Sequence, residues 1–187
     1  MSQLLFIQGG GAGTHDEWDN KLVDSLTQEL GPKFEIRYPR MPNEDDPSYP
    51  TWKAAIDKET GSLENDAILV GHSIGGAILI NALAETRSKR RFRAIFLIGA
   101  PFVGDGGWPS DDMNSPPDLG ARLPQGVPVY IYHGLADDTA PPSHADVYAR
   151  AIPQARVHFL PHRDHQLDND LSEIAATIKS LERATAH

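Results

Sequence analysis

The sequence predicts a three-layer α/β/α sandwich built on a mostly parallel sheet of six strands, and three observations lead there. Short, continuously apolar runs recur along the chain, as in strands buried on both faces. Between them, apolar residues recur at helical spacing. Each parallel return between strands needs a crossover, and the intervening helices supply it.

The first run, residues 4–8 (LLFIQ), ends in the glycine loop GGGAG. Trp18, Leu22, Val23, Leu26 and Leu30 then share a helical face, and Gly31-Pro32 ends that helix. Residues 34–38 form the second strand. Residues 39–50, PRMPNEDDPSYP, hold four prolines and read as a loop before a helix over 51–59. The third strand, 67–70, runs through GHSIG into a helix over 75–85, and residues 94–98 (AIFLI) are the fourth. Residues 99–126, rich in glycine and proline, read as an excursion over the C-terminal edge of the sheet. Strands over 129–132 and 157–160 flank a helix over 143–151. Leu171, Ile174, Ala175, Ile178 and Leu181 mark an amphipathic last helix.

A chain of 187 residues suits one domain, 1–187, and its 40% hydrophobic and 23% charged residues are those of a soluble globular protein. The net charge of -9 argues against nucleic acid or an anionic membrane as a partner. The basic run over 87–93 is broken by Phe92 and reads as a solvated connection. Cysteine is absent, which excludes disulfides, a thiolate nucleophile and cysteine metal sites. No segment approaches the ~18–20 apolar residues that span a bilayer, so a cytoplasmic location is expected.

The chemistry centres on residues 68–80, ILVGHSIGGAILI, where a serine stands between two glycines as a strand gives way to a helix. Gly71-His72-Ser73-Ile74-Gly75 in that context matches a nucleophile elbow. The glycines are needed because the turn leaves no room for side chains two residues before and after the serine. Ser73 needs a base, and the base needs an acid to hold its tautomer. The acid should follow a later strand. VYIYHGLADDTAPP offers Asp137, chosen by its spacing from the His-Gly turn, with Asp138 as the fallback. The base should follow the last strand, where FLPHRDHQLDND offers His162 and His165; His165 has the longer reach.

The other histidines have ordinary readings: His72 is a variable elbow position, His133 ends a strand, and His15, His144, His158 and His187 are expected at surfaces or boundaries. His162, Asp164, His165 and Asp168 are metal-ligand types on one loop with no second cluster, so no metal is expected. An oxyanion hole would use the amide of Ile74 and one from the glycine loop, with Gly10 preferred and Gly11 close behind. That loop departs from a dinucleotide fingerprint at Thr14, and the following strand lacks an acidic end, so no cofactor is expected.

These motifs resemble the α/β-hydrolase superfamily, and more narrowly the small serine hydrolases related to a retinoblastoma-binding protein, which lack two N-terminal antiparallel strands and a large lid. The resemblance runs through the glycine loop, YPRMPN, the elbow, the acid segment at 133–142 and Asp164-His165. It implies a reduced α/β-hydrolase fold with strand order 2-1-3-4-5-6. It also implies an ester-cleaving enzyme with nucleophile Ser73, acid Asp137 and base His165. Gln8 stands where many relatives carry His.

Phe102, Val103, Trp108, Met41 and Tyr49 could wall a small acyl group, with Gly11 and His72 as further pocket candidates. Without a lid, a small soluble ester is the expected substrate. A thioesterase, amidase or transacylase would share every motif, and a binding protein could keep the fold without turnover.

Overall fold

The computed structural model describes residues 1–185; His187, expected at a surface or boundary, lies outside the described residues. Six strands form one sheet: β1 (Ser2–Ile7), β2 (Phe34–Arg37), β3 (Ala67–His72), β4 (Phe92–Ile98), β5 (Val129–Gly134) and β6 (Arg156–Leu160). Their order is β2-β1-β3-β4-β5-β6 and every neighbouring pair is parallel.

The continuous apolar runs divide between two faces because successive side chains on a strand point opposite ways. Leu5, Ile7, Leu69, Ile95, Leu97 and Ile131 point into one core, under α2 (Tyr49–Ser62), α3 (Ser73–Glu85), α4 (Leu119–Arg122) and α5 (Ser143–Ala151). Leu4, Phe6, Ile68, Val70, Phe96 and Ile98 point into the other, where Leu22 and Leu26 of α1 (Asp19–Leu30) meet Ile174 and Ile178 of α6 (Ser172–Thr185). β3 lies near the middle of the sheet, with all six residues buried. β6 is an edge, and only Leu160 of its five residues is buried.

Three elements differ from the sequence reading. Trp18 does not begin the first long helix: Thr14–Trp18 is a separate π-helical turn, and Trp18 is 53% exposed. The second helix starts at Tyr49, because Pro50 sits in the first turn, where its missing N–H costs nothing. The Tyr49 amide donates to Asp112 Oδ2 at 2.9 Å. The excursion over 99–126 is packed down rather than draped, with Phe102, Val103, Met113, Leu119 and Leu123 buried. Among the described residues no helix is long and apolar enough to cross a membrane.

Candidate active site

The site is built at the C-terminal ends of β1, β3, β5 and β6, where open parallel sheets present ligands. β3 ends at His72 and α3 begins at Ser73, whose φ of 55° is a left-handed conformation costly for a residue with a Cβ. The flanking glycines explain how so sharp a turn fits. A methyl group on Gly71 would lie 2.5 Å from Gly76 Cα, and one on Gly75 would overlap the carbonyl of Gln8.

Loops after β5 and β6 bring two more predicted residues to the serine. His165 Nε2 lies 2.9 Å from Ser73 Oγ, and His165 Nδ1 lies 2.8 Å from Asp137 Oδ2. The Asp137 side chain is wholly buried, and its Oδ1 accepts the amides of Thr139 and Ala140, each at 2.8 Å. Burial pushes its pKa up. Hydrogen bonds from the His133 and His165 rings and the Thr139 amide outweigh this and hold the carboxyl well below its ordinary range. Asp138 and His162 are both exposed and outside this line.

The glycine loop lies alongside. A methyl on Gly9 would come within 3.1 Å of Ser73 Cβ, and one on Gly10 within 3.0 Å of Ile74 Cγ2. The Gly9 amide donates to Asp19 Oδ2 at 2.7 Å and the Gly11 amide to the Glu44 carbonyl at 2.6 Å. The Gly10 amide between them has no protein acceptor among the described residues. Ile74, in the first turn of α3, has an amide that helix geometry leaves without an intrahelical partner. Two free donors thus flank Ser73, with the positive end of the α3 dipole behind them.

Gln8 supports this loop. Its side chain donates to Glu44 Oε2 at 2.7 Å and accepts the Met41 amide at 2.8 Å. Glu44 also accepts the amides of Gly13 and His15. The proline loop is therefore a buttress for the glycine loop. Glu44 had no distinguishing signal within NEDDP.

Of the proposed pocket residues, Tyr49, Val103 and Trp108 line a cavity of about 160 Å³ together with Pro47, Ile74, Ile78 and Met113. Phe102 instead packs edge-on against Tyr148 in the core, and Met41 is buried beneath. His72 turns inward, 2% exposed, with Nδ1 2.9 Å from Asp19 Oδ2 and Nε2 3.0 Å from the His165 carbonyl. Gly11 spends its amide on Glu44.

His144 is not a surface residue: it is 5% exposed, and its Nδ1 accepts the Phe102 amide at 2.9 Å, which anchors the excursion to α5. His133 is fully buried, with Nε2 2.9 Å from the Ala140 carbonyl. Asp164 Oδ1 is occupied in turn-forming bonds from the amides of Gln166 and Asp168. Among the described residues no group of three or more His, Asp or Glu side chains is arranged to hold a metal ion.

A fully parallel sheet with a strained serine at the end of a central strand defines a hydrolase-type α/β fold. The chain belongs to the alpha/beta hydrolase family, whose sequence profile matches residues 4–178. Its fold is similar to that of the ydeN gene product of B. subtilis, at 18% identity and a TM-score of 0.73, covering 98% of this chain and 100% of that one. Est1E from Butyrivibrio proteoclasticus is similar at 19% identity and a TM-score of 0.68, covering 98% and 88%. The CarC enzyme, a serine hydrolase involved in carbazole degradation, is similar at 14% identity and a TM-score of 0.71, covering 98% and 92%. Identities this low speak for the fold. No curated protein sequence matches the chain.

Proposed function

We propose that the chain is a serine hydrolase that cleaves small carboxylic esters through an acyl-enzyme formed on Ser73. The observation that carries this reading is the unbroken line from Asp137 through His165 to Ser73, at 2.8 and 2.9 Å, with two free amides beside the serine. As Ser73 Oγ adds to the ester carbonyl, His165 Nε2 takes its proton. The amides of Ile74 and Gly10 receive the negative charge that develops on the carbonyl oxygen. The intermediate collapses, His165 returns the proton to the departing alcohol, and the acyl group stays on Oγ. Water then repeats the cycle and releases the acid. Asp137 accepts the Nδ1–H of His165, which selects the tautomer and stabilises the imidazolium.

A small substrate is favoured by the cavity of about 160 Å³, which Pro47, Ile74, Ile78, Val103, Trp108 and Met113 make largely apolar, and whose wall includes Ile74, the residue after Ser73. Esterases occur among the proteins of similar fold, which agrees with an ester as the substrate. The test is fluorophosphonate labelling of the wild type and Ser73→Ala, mapped by mass spectrometry and paired with an ester, thioester and amide panel. Labelling at Ser73 alone, with hydrolysis lost in a folded Ser73→Ala protein, is the expected result. Appreciable hydrolysis by that variant would refute the mechanism.

A further inference from the structure

Behind the line from Asp137 to Ser73 lies a second histidine–carboxylate contact that the proposed mechanism does not use. His72 immediately precedes Ser73, and its ring is enclosed between two acceptors: Asp19 Oδ2 at 2.9 Å from Nδ1 and the His165 carbonyl at 3.0 Å from Nε2. A carbonyl can only accept, so Nε2 carries a proton. Asp19 is fully buried and is approached by donors throughout, with the Gly9 amide at 2.7 Å on Oδ2 and the Gln166 side chain at 3.2 Å on Oδ1. Two donors besides the ring on one buried carboxyl favour its ionised form, and an ionised carboxylate can only accept, which leaves Nδ1 as a donor too.

We infer that Asp19 and His72 form a buried carboxylate–imidazolium pair that positions the parts of the site around Ser73, holding the glycine loop on one side and the base-bearing loop on the other. Asp19 grips the amide just before Gly10 and the side chain just after His165, while His72 grips the His165 main chain itself. One contact set therefore spans the first glycine loop, the end of β3 and the loop after β6. These segments carry the Gly10 amide, the serine and the base. The two rings stand 4.9 Å apart between centroids, so displacement of His72 reaches His165 without an intermediary.

Asp19 and His72 are thus positioning residues and touch no reacting atom. The pair is neutral as a whole, so its contribution to His165 is place more than field. The pKa directions agree. For His72, burial pushes down but Asp19 raises it further; for Asp19, burial pushes up but His72 and the Gly9 amide hold it low. The charged or titratable groups around His72 are Asp19, Asp137 and His165.

The inference rests on the Ser73 reading, and its test separates the two. Nitrogen NMR of ring-labelled wild type at neutral pH, with His72 assigned through its own backbone resonances, should show both ring nitrogens protonated. A neutral ring overturns the pair, and this measurement needs no variant to fold. Asp19→Asn keeps the shape but removes the counter-charge. It should lower both kcat and the fluorophosphonate labelling rate about 10- to 100-fold, as expected of sub-ångström to ångström misplacement, with KM within about twofold. Gln166→Ala, at a partly exposed position, should give a smaller fall in kcat of about two- to fivefold. Wild-type kcat in folded Asp19→Asn, or a change confined to KM, overturns the positioning role alone. A wild type that is not labelled at Ser73 overturns the hydrolase reading and this one together.

Discussion

Gly71→Ala adds a single methyl group, and the geometry predicts where the damage goes. The new Cβ would sit 2.5 Å from Gly76 Cα, 3.0 Å from Gly76 N and 3.2 Å from Leu79 Cδ2. Carbon atoms rest ~3.5–4.0 Å apart, so the closest contact is short by about 1 Å. β3 cannot give way, because Gly71 is registered against Ile7 on one side and Leu97 on the other. The displacement therefore falls on α3, and moves Ser73 and the Ile74 amide against His165 and Gly10. Overpacking of this kind costs about 1–3 kcal/mol, which for a domain of this size lowers Tm by roughly 2–12 °C. A shift of about 1 Å at reacting groups costs on the order of 100-fold in rate. Circular-dichroism melts and stopped-flow fluorophosphonate labelling measure the two effects on one preparation. A folded Gly71→Ala protein with the wild-type Tm and labelling within about twofold would refute the reasoning.

Asp137→Asn should leave the fold intact and lower kcat by roughly 10³–10⁴, because an amide facing Nδ1 favours the wrong His165 tautomer; steady-state hydrolysis alongside a melt checks it. Ile78→Phe pushes bulk into the cavity and should slow hexanoate esters about tenfold more than acetate, read from an acyl-length series. Stability should fall at both ends of the pH range. Asp137 and Asp19 are depressed below their ordinary 3.8, so their contribution is full above about pH 4 and is lost as pH drops through the folded values. His72 is raised above 6.5, so its contribution is full below about pH 6.5 and is lost as pH climbs through the folded value. Melts from pH 2 to 10 test this, and Asp19→Asn should flatten the alkaline limb.

What could be read from the residues had local causes. Unbroken apolar runs mark strands covered on both faces, and the glycines around Ser73 announce a crowded turn. Asp137 and Asp138 are alike in sequence, and the structure separates them through burial and the amides of Thr139 and Ala140, which close on Asp137 only. Asp19 gave no such warning. An aspartate opening a helix looks like an ordinary complement to the helix dipole, and its burial depends on His72, 53 residues away. Glu44 was hidden among acidic neighbours in a proline-rich loop, and His144 by the short, polar start of α5. In each case the deciding partner is distant in the chain, and no periodicity records it.

An all-parallel sheet also sets the order in which the site can come into being. Ser73 and His165 are 92 residues apart, and His165 follows β6, the last strand of the sheet. At about 5–20 residues per second, a ribosome takes roughly 5–18 s to synthesise the interval between them. The serine is therefore made well before its proposed base. Under the proposed mechanism, a nascent chain bears the serine turn without reactivity until β6 docks on β5, so gain of fluorophosphonate labelling is expected to report the docking of the sheet's last edge.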